Sequence, residues 1–195
     1  MNETSPRAGT RTLRSPRDWL EAAVVALAEG GLSRVAIEPL ARRLGVTKGS
    51  FYHHFESLDA LVRALLEHWE REGTDAVILS LDALEDPRER LRGLVQVSWE
   101  RLDHLRAEAA LAAAASAGDP RVAPVVARVT AKRLAYVQRT YRALGCTPAV
   151  ARHRALHALA SYLGTVTLVG AGALSNEREL RAHVRYLEGA LVPAE

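Results

Sequence analysis

At Ser15-Pro16, Asp86-Pro87, Asp119-Pro120 and Thr147-Pro148 a capping residue stands directly before a proline. Such a pair marks a helix start. The cap side chain accepts an N–H group that the first turn leaves without an intrahelical partner, and a proline at the first helical position has no N–H to leave orphaned. Glu89, three residues after Asp86, adds capping-box spacing. Glycines at Gly30-Gly31, Gly45, Gly118, Gly145 and Gly170 to Gly172 fall where those helices should stop. Between the marks apolar residues recur at helical spacing, and no convincing period-two run or fixed-length repeat appears. Composition agrees, with alanine dominating the apolar residues and aromatics at only 5%. Alanine loses no side-chain entropy in a helix, whereas strands favour β-branched and aromatic residues.

The chain is therefore expected to be all-α, with about nine helices. They are placed at Pro16 to Glu29, Glu38 to Leu44, Lys48 to Phe55, and from the Ser57 cap through Trp69 to a break near Gly73 or an end near Leu84. Further helices are placed at Pro87 to Leu105, Ala107 to Ala117, Arg121 to Leu144, Pro148 to Val169 and Asn176 to Leu191, with Pro124 awkward inside the seventh. The 195 residues suffice for a real core, and 48% hydrophobic with 25% charged residues excludes wholesale disorder. The single cysteine, Cys146, makes neither an intrachain disulfide nor a Cys-rich zinc site, which suits a reducing compartment. No 18-residue apolar run is present, and the first 17 residues are polar and Arg-bearing. The expectation is a cytoplasmic helical protein without a secretory signal.

The net charge of +3 says less than its distribution. Arg7, Arg11, Arg14 and Arg17 crowd the N-terminal tail, and Arg42, Arg43, Lys48, His53 and His54 follow within one short stretch. Between them, residues 36–55 read AIEPLARRLGVTKGSFYHHF. Leu40, Ala41 and Leu44 give a short helix its buried face, Gly45 lets the backbone reverse, and Thr47 caps a second short helix. Phe51 and Phe55, four apart, face the core, leaving Lys48, Ser50, Tyr52, His53 and His54 mostly outward. That is a helix-turn-helix pattern, in which one helix braces across the DNA backbone and the next enters the major groove. Spacing alone leaves open an ordinary helical hairpin.

From Trp19 to Trp69 the chain resembles the DNA-binding domain of the tetracycline-repressor (TetR) family of bacterial transcription regulators. The resemblance is carried by Gly31-Leu32, by LARRLGVTKGSFYHHF from Leu40 to Phe55, and by SLDALVRALL from Ser57. It covers about a third of the chain closely; the later helices match the family only in number, length and apolar character. The resemblance implies that Thr47, Lys48, Gly49 and Ser50 lie at the groove end of the recognition helix. It implies that Tyr52 and His54 touch phosphate or sugar, and that His53 occupies a variable contact position. Arg34 and Glu38 are placed with this DNA-binding set. Two departures stand out: Glu38 where many members carry a basic or polar residue, and Leu58 where members often carry a phosphate-gripping lysine. The Arg-bearing tail is a candidate to compensate for the latter.

The resemblance further divides the chain into a basic flexible tail (1–15), a helix-turn-helix domain (16–56), a connecting fourth helix (57–73) and a ligand-binding and dimerisation domain (74–195). The implied partners are double-stranded operator DNA, a second copy of the chain and an unknown small-molecule effector. The last two helices are the candidate dimer elements. The first interleaves Ala151, Ala155, Ala158, Ser161 and Gly164 with Leu156, Leu159 and Leu163; the second offers Leu180, Val184, Leu187 and Leu191. Intrachain core is the competing reading of both stripes. Candidate pocket residues are Trp99, Leu102, Tyr136, Thr140, Tyr162, Thr165 and Val166, polar or large groups on otherwise apolar helices.

No glycine-rich phosphate loop, nucleophile elbow or His/Glu zinc motif is present in the sequence, so no catalytic residue, cofactor or metal is assigned. His153 and His157 share a helix face at metal-binding spacing, but two ligands make a weak site, and they are read as surface or interface histidines. The expected function is a DNA-binding transcriptional repressor released from a palindromic operator by a small molecule. A helical small-molecule binder without DNA binding and a helical-bundle enzyme are the alternatives.

Overall fold

Side-chain caps fix where four of the helices begin. In the computed structural model, which describes residues 14–99 and 102–193, the Ser15 hydroxyl accepts from the Asp18 N–H at 3.3 Å. The Asp18 carboxylate accepts from the Ser15 N–H at 2.6 Å, a reciprocal capping box that opens α1 (Pro16–Gly30). Ser57, Thr147 and Asn176 likewise accept from the N–H groups of Ala60, Val150 and Glu179. They open α4 (Leu58–Glu70), α9 (Pro148–Gly170) and α10 (Glu177–Leu191). A short 3₁₀ turn (Leu32–Arg34), α2 (Ile37–Leu44) and α3 (Lys48–Tyr52) lie between α1 and α4. The arginines expected to arm the tail divide: Arg7 and Arg11 lie outside the described residues, Arg14 donates to the Leu44 carbonyl at 3.0 Å, and Arg17 pairs with Glu21 at 2.9 Å.

Beyond Glu70 the connecting helix neither stops nor breaks. It passes through a π-helical turn (Arg71–Asp75) into α5 (Ala76–Asp82), so one rod runs from Leu58 to Asp82. Of the two endings left open, a break near Gly73 or an end near Leu84, the rod takes the later, and Gly73 sits inside the π turn. Then come α6 (Pro87–Trp99), α7 (Leu102–Ser116) and α8 (Ala123–Ala143). Counting the rod once, the described residues form nine α-helices and no strand.

Three boundaries differ from expectation. α6 ends its described span at Trp99 and α7 starts at Leu102, so Leu105 and Ala107 share one helix rather than flanking a gap. α3 stops at Tyr52, with His53 and His54 in a turn. α8 begins at Ala123, with Pro124 in its first turn, instead of at Arg121. There Asp119 does not cap the helix from beside a proline; its carboxylate holds the Arg121 N–H at 2.9 Å and the Arg121 guanidinium at 2.8 Å.

Two kinds of interaction join the halves of the molecule. The first is a shared core. Trp19, Leu27, Leu40, Phe51, Leu61 and Leu65 pack in one cluster with Ala107, Leu111 and Val122, so α7 closes the core of the N-terminal helices. The second is a row of ion pairs between the connecting rod and α8 with its preceding turn. Asp59 pairs with Arg121, Glu70 with Arg128 and Lys132, Asp75 with Lys132, and Asp82 with Arg139. The partners rise in the same order along both elements, so the row fixes their register.

Glu70 is buried, and hydrogen bonds from Arg128 and then Lys132 hold its carboxyl down at about 2. Asp119 is held at about 2 by its hydrogen bonds to Arg121. A carboxylate depressed in the fold stabilises it above the unfolded pKa and loses that contribution as pH falls through the folded value. Urea midpoints are therefore expected to fall as the pH is lowered from near 4.5 towards 2. Glu70→Gln should flatten the Glu70 part of that decline; an unchanged profile would show that the row carries no such linkage.

Candidate nucleic-acid interface and internal cavity

The turn between α2 and α3 is built on Gly45, whose φ of +67° lies in the left-handed region where a side chain is strained. Its N–H and that of Val46 fold back onto α2, the latter meeting the Ala41 carbonyl at 3.0 Å. α3 is then fixed by its aromatic face. Phe51 is fully buried, edge-on to Trp19 at 5.3 Å between ring centroids and stacked on Phe55 at 5.5 Å.

With Phe51 inward, the opposite side of α3 is presented to solvent. Tyr52 is 54% exposed, Thr47, Lys48, Gly49 and His53 are exposed, and Ser50 and His54 are half-buried. Thr47 stands at the cap position in an extended conformation, yet its side chain makes no capping hydrogen bond. Glu38, exposed on α2, pairs with Lys48 at 3.5 Å rather than with Arg42 or Arg43; Arg43 pairs with Glu29. Arg34 is exposed in the 3₁₀ turn, its side chain lying over Gly30. Leu58 packs against the N-terminal core. The outward surface thus carries Thr47 and Lys48 at the start of a short helix and Tyr52 and His53 at its end.

A cavity of about 270 Å³ lies behind this domain. Its wall draws on nearly every later helix and, at one end, on Val24 and Leu27 of α1. Of the pocket residues expected from sequence, Trp99, Tyr136 and Tyr162 line it. Leu102, Thr140, Thr165 and Val166 are buried outside its lining: Leu102 and Val166 pack in the core cluster of α6, α7, α9 and α10. The Thr140 and Thr165 hydroxyls turn back onto the carbonyls of Tyr136 and Ser161, one helical turn earlier.

Sequence reading missed the polar centre of the cavity. Arg133 of α8 bonds Glu108 of α7, donates to the Thr74 hydroxyl at 3.0 Å and reaches the Gly73 carbonyl at 3.3 Å inside the π turn. Glu108 also accepts from the Trp69 indole at 2.9 Å. The guanidinium lies over the rings of Trp69 and Tyr162, 5.4 and 5.3 Å from their centroids. Burial, and then the charge of Glu108, pushes the Tyr162 phenol well above its ordinary value. A signal existed. Leu105, Glu108 and Leu111 recur every three residues, as do Val129, Arg133 and Val137 every four, so each charge sits on a buried stripe.

The expected dimer stripes divide in the same way. Leu180, Leu187 and Leu191 of α10 are buried in the subunit's own core with Val184 packed beside them, and Ala151 and Ala155 of α9 are likewise internal. The other side of α9 is open: Leu156, Leu163 and Leu168 are exposed, in line with His153, His157, Ala160 and Gly164. Among the described residues no group of three His, Cys, Asp or Glu side chains could hold a metal ion, and no helix is long and apolar enough to cross a membrane.

Comparison with known proteins falls on the same regions. Residues 20–65 match the sequence model of bacterial regulatory proteins of the tetR family. The chain is 35% identical over 95 residues to the HTH-type transcriptional repressor KstR2 of Mycobacterium tuberculosis, covering 47% of this chain and 46% of that one. It is 31% identical over 97 residues to the HTH-type transcriptional regulator BetI of Yersinia pestis, covering 49% and 48%. Each match thus spans about half the length of the relative. Across almost the whole chain, the fold is that of a transcriptional regulator from Rhodococcus sp., with a TM-score of 0.70 at 24% identity over 91% of this chain and 96% of that one.

Proposed function

We propose that the chain is a member of the TetR family of bacterial regulatory proteins and a sequence-specific, DNA-binding transcriptional repressor of the cytoplasm, released from a palindromic operator by a small molecule in the internal cavity. The observation that carries this reading is the division of α3. Its Phe51 side is locked into the core, while Lys48, Tyr52 and His53 face outward on the side that a major groove would receive. Thr47, Lys48, Ser50 and the Gly49 backbone address base edges at the front of the helix. Tyr52 and His54 hold phosphate or sugar, and Arg34, Glu38 and His53 border the contact. Glu38 shares Lys48 with the DNA, so it tempers that cation rather than pairing the arginines of its own helix.

One short helix reads too few bases, so the repressor works as a dimer whose recognition helices lie about one DNA turn, roughly 34–36 Å, apart. The open face of α9 from His153 to Leu168, continued by the exposed Tyr186 of α10, is the surface for that pairing. An effector acts by favouring the geometry that does not fit the operator, and near-complete switching needs about a 10⁴-fold preference for it. The family's members are regulators rather than enzymes, and this chain is read as one of them.

Gel-shift titration of DNA flanking its own gene, at several salt concentrations, tests the assignment. A Tyr52→Phe/His54→Ala variant is expected to bind all sequences about ten- to a hundredfold more weakly, as two lost backbone hydrogen bonds imply. Lys48→Ala is expected to weaken binding and also change the ranking of operator variants. Unchanged affinity in the folded double variant would remove these residues from the interface.

A further inference from the structure

Arg133 enters the cavity wall as a cation between two aromatic faces. Its guanidinium lies 5.4 Å from the centroid of the Trp69 ring and 5.3 Å from that of Tyr162. The Glu108 carboxylate completes the surround. It meets the guanidinium through both oxygens, one of which also accepts from the Trp69 indole N–H at 2.9 Å. Aromatic faces and a carboxylate around one positive charge are the elements by which proteins hold guanidinium and quaternary ammonium ions. Here the chain supplies the guest itself. The Arg133 side chain is 17% exposed and that of Glu108 10%, so the cage lies out of bulk water, where attraction between a cation and a ring is strongest.

We propose that Arg133 is a specificity-determining residue of the cavity: a resident cation that closes the cage of Trp69, Tyr162 and Glu108 to organic cations, and whose removal opens it to guanidinium and quaternary ammonium guests. This rests on the reading of the cavity as the effector site and deepens it, because it says which effectors the native chain turns away.

The arginine resists displacement. Its Nε donates to the Thr74 hydroxyl at 3.0 Å and an Nη reaches the Gly73 carbonyl at 3.3 Å, so a guest that pushed it aside would break bonds to the π turn as well as the ion pair. Its tether is covalent, so it meets Glu108 without the translational freedom that a free ion loses on binding. A cation entering beside it would meet a like charge. Among the described residues of the lining the acids are Glu108 and Glu72, and each already has an arginine of the chain, Glu72 pairing with Arg71 at 3.0 Å. Shortening Arg133 reverses these conditions, leaving two ring faces and a buried carboxylate around an open space. A methylguanidinium ion suits that space, having fewer heavy atoms than the part of the side chain that Arg133→Ala removes.

Calorimetric titration of the full chain with methylguanidinium and tetramethylammonium, at constant ionic strength, tests the assignment. Arg133→Ala is expected to bind both ions at least about tenfold more tightly than the native chain does. Tetramethylammonium has no hydrogen to donate, so its gain depends on the rings, and Arg133→Ala/Tyr162→Leu should lose most of it. A role confined to repairing an unpaired carboxylate would not show that loss. Should Arg133→Ala fail to fold in buffer, the two ions are expected to restore its helical circular-dichroism signal where equal sodium chloride does not. Native affinity as high as the variant's, no gain in the folded variant, no recovery of an unfolded one, or a tetramethylammonium gain that survives Tyr162→Leu would overturn the proposal. A gel shift of the unliganded native chain is run alongside. Failure of the cation arms with DNA binding intact overturns the cage alone; absence of DNA binding overturns the repressor reading and leaves the cage result to stand by itself.

Discussion

Glu108→Ala is expected to lower the unfolding free energy by about 3–5 kcal/mol, the cost of leaving a buried guanidinium without its carboxylate. Arg133 cannot escape to water without giving up the Thr74 hydroxyl and the Gly73 carbonyl, and the Trp69 indole loses its acceptor in the same step. The effect should be largely recovered by Arg133→Met in the same background, because an apolar side chain of similar volume needs no partner there. Urea denaturation of the two single variants and the double variant measures the coupling. A single Glu108→Ala change costing under about 1 kcal/mol would mean that water reaches the pair, and the buried-pair account would fail.

Phe51→Ala is the second large effect, expected to destabilise by about 3–5 kcal/mol, as truncations of a fully buried aromatic do. Phe51 is the contact shared by Trp19, Tyr52 and Phe55, so the vacancy opens at the joint that orients α3. DNA affinity should therefore drop even at temperatures where the variant remains folded, while calorimetric binding of small molecules in the cavity changes less. Phe51→Leu, which retains most of the apolar volume, should restore much of both. Operator affinity that survives Phe51→Ala unchanged would show that α3 is oriented by something other than this aromatic joint.

What was legible in the sequence was local. Ser15, Ser57, Thr147 and Asn176 cap the helices they precede because a cap needs only the next three residues. The Gly45 turn and the inward Phe51 are set by spacing within one motif. Asp119 was misread because its decision is not local: Arg121 offers it three hydrogen bonds and is itself shared with Asp59, 62 residues away along the chain. The leucines of α10 followed an apolar stripe correctly, but periodicity cannot say whether a stripe meets its own subunit or another. The same limit applies to the cavity. Thr140 and Thr165 read as ligand anchors on composition, yet their hydroxyls are answered by their own helices. The Glu108 and Arg133 charges come together only through the packing of α7 on α8.

The wall that α1 lends to the cavity has a further consequence. Because Val24 and Leu27 belong to the N-terminal half and also border the cavity, the two halves are not interchangeable parts. A chimera that grafts another regulator's head onto this body would bring its own side chains to that border. The shape of the cavity would change along with the N-terminal helices.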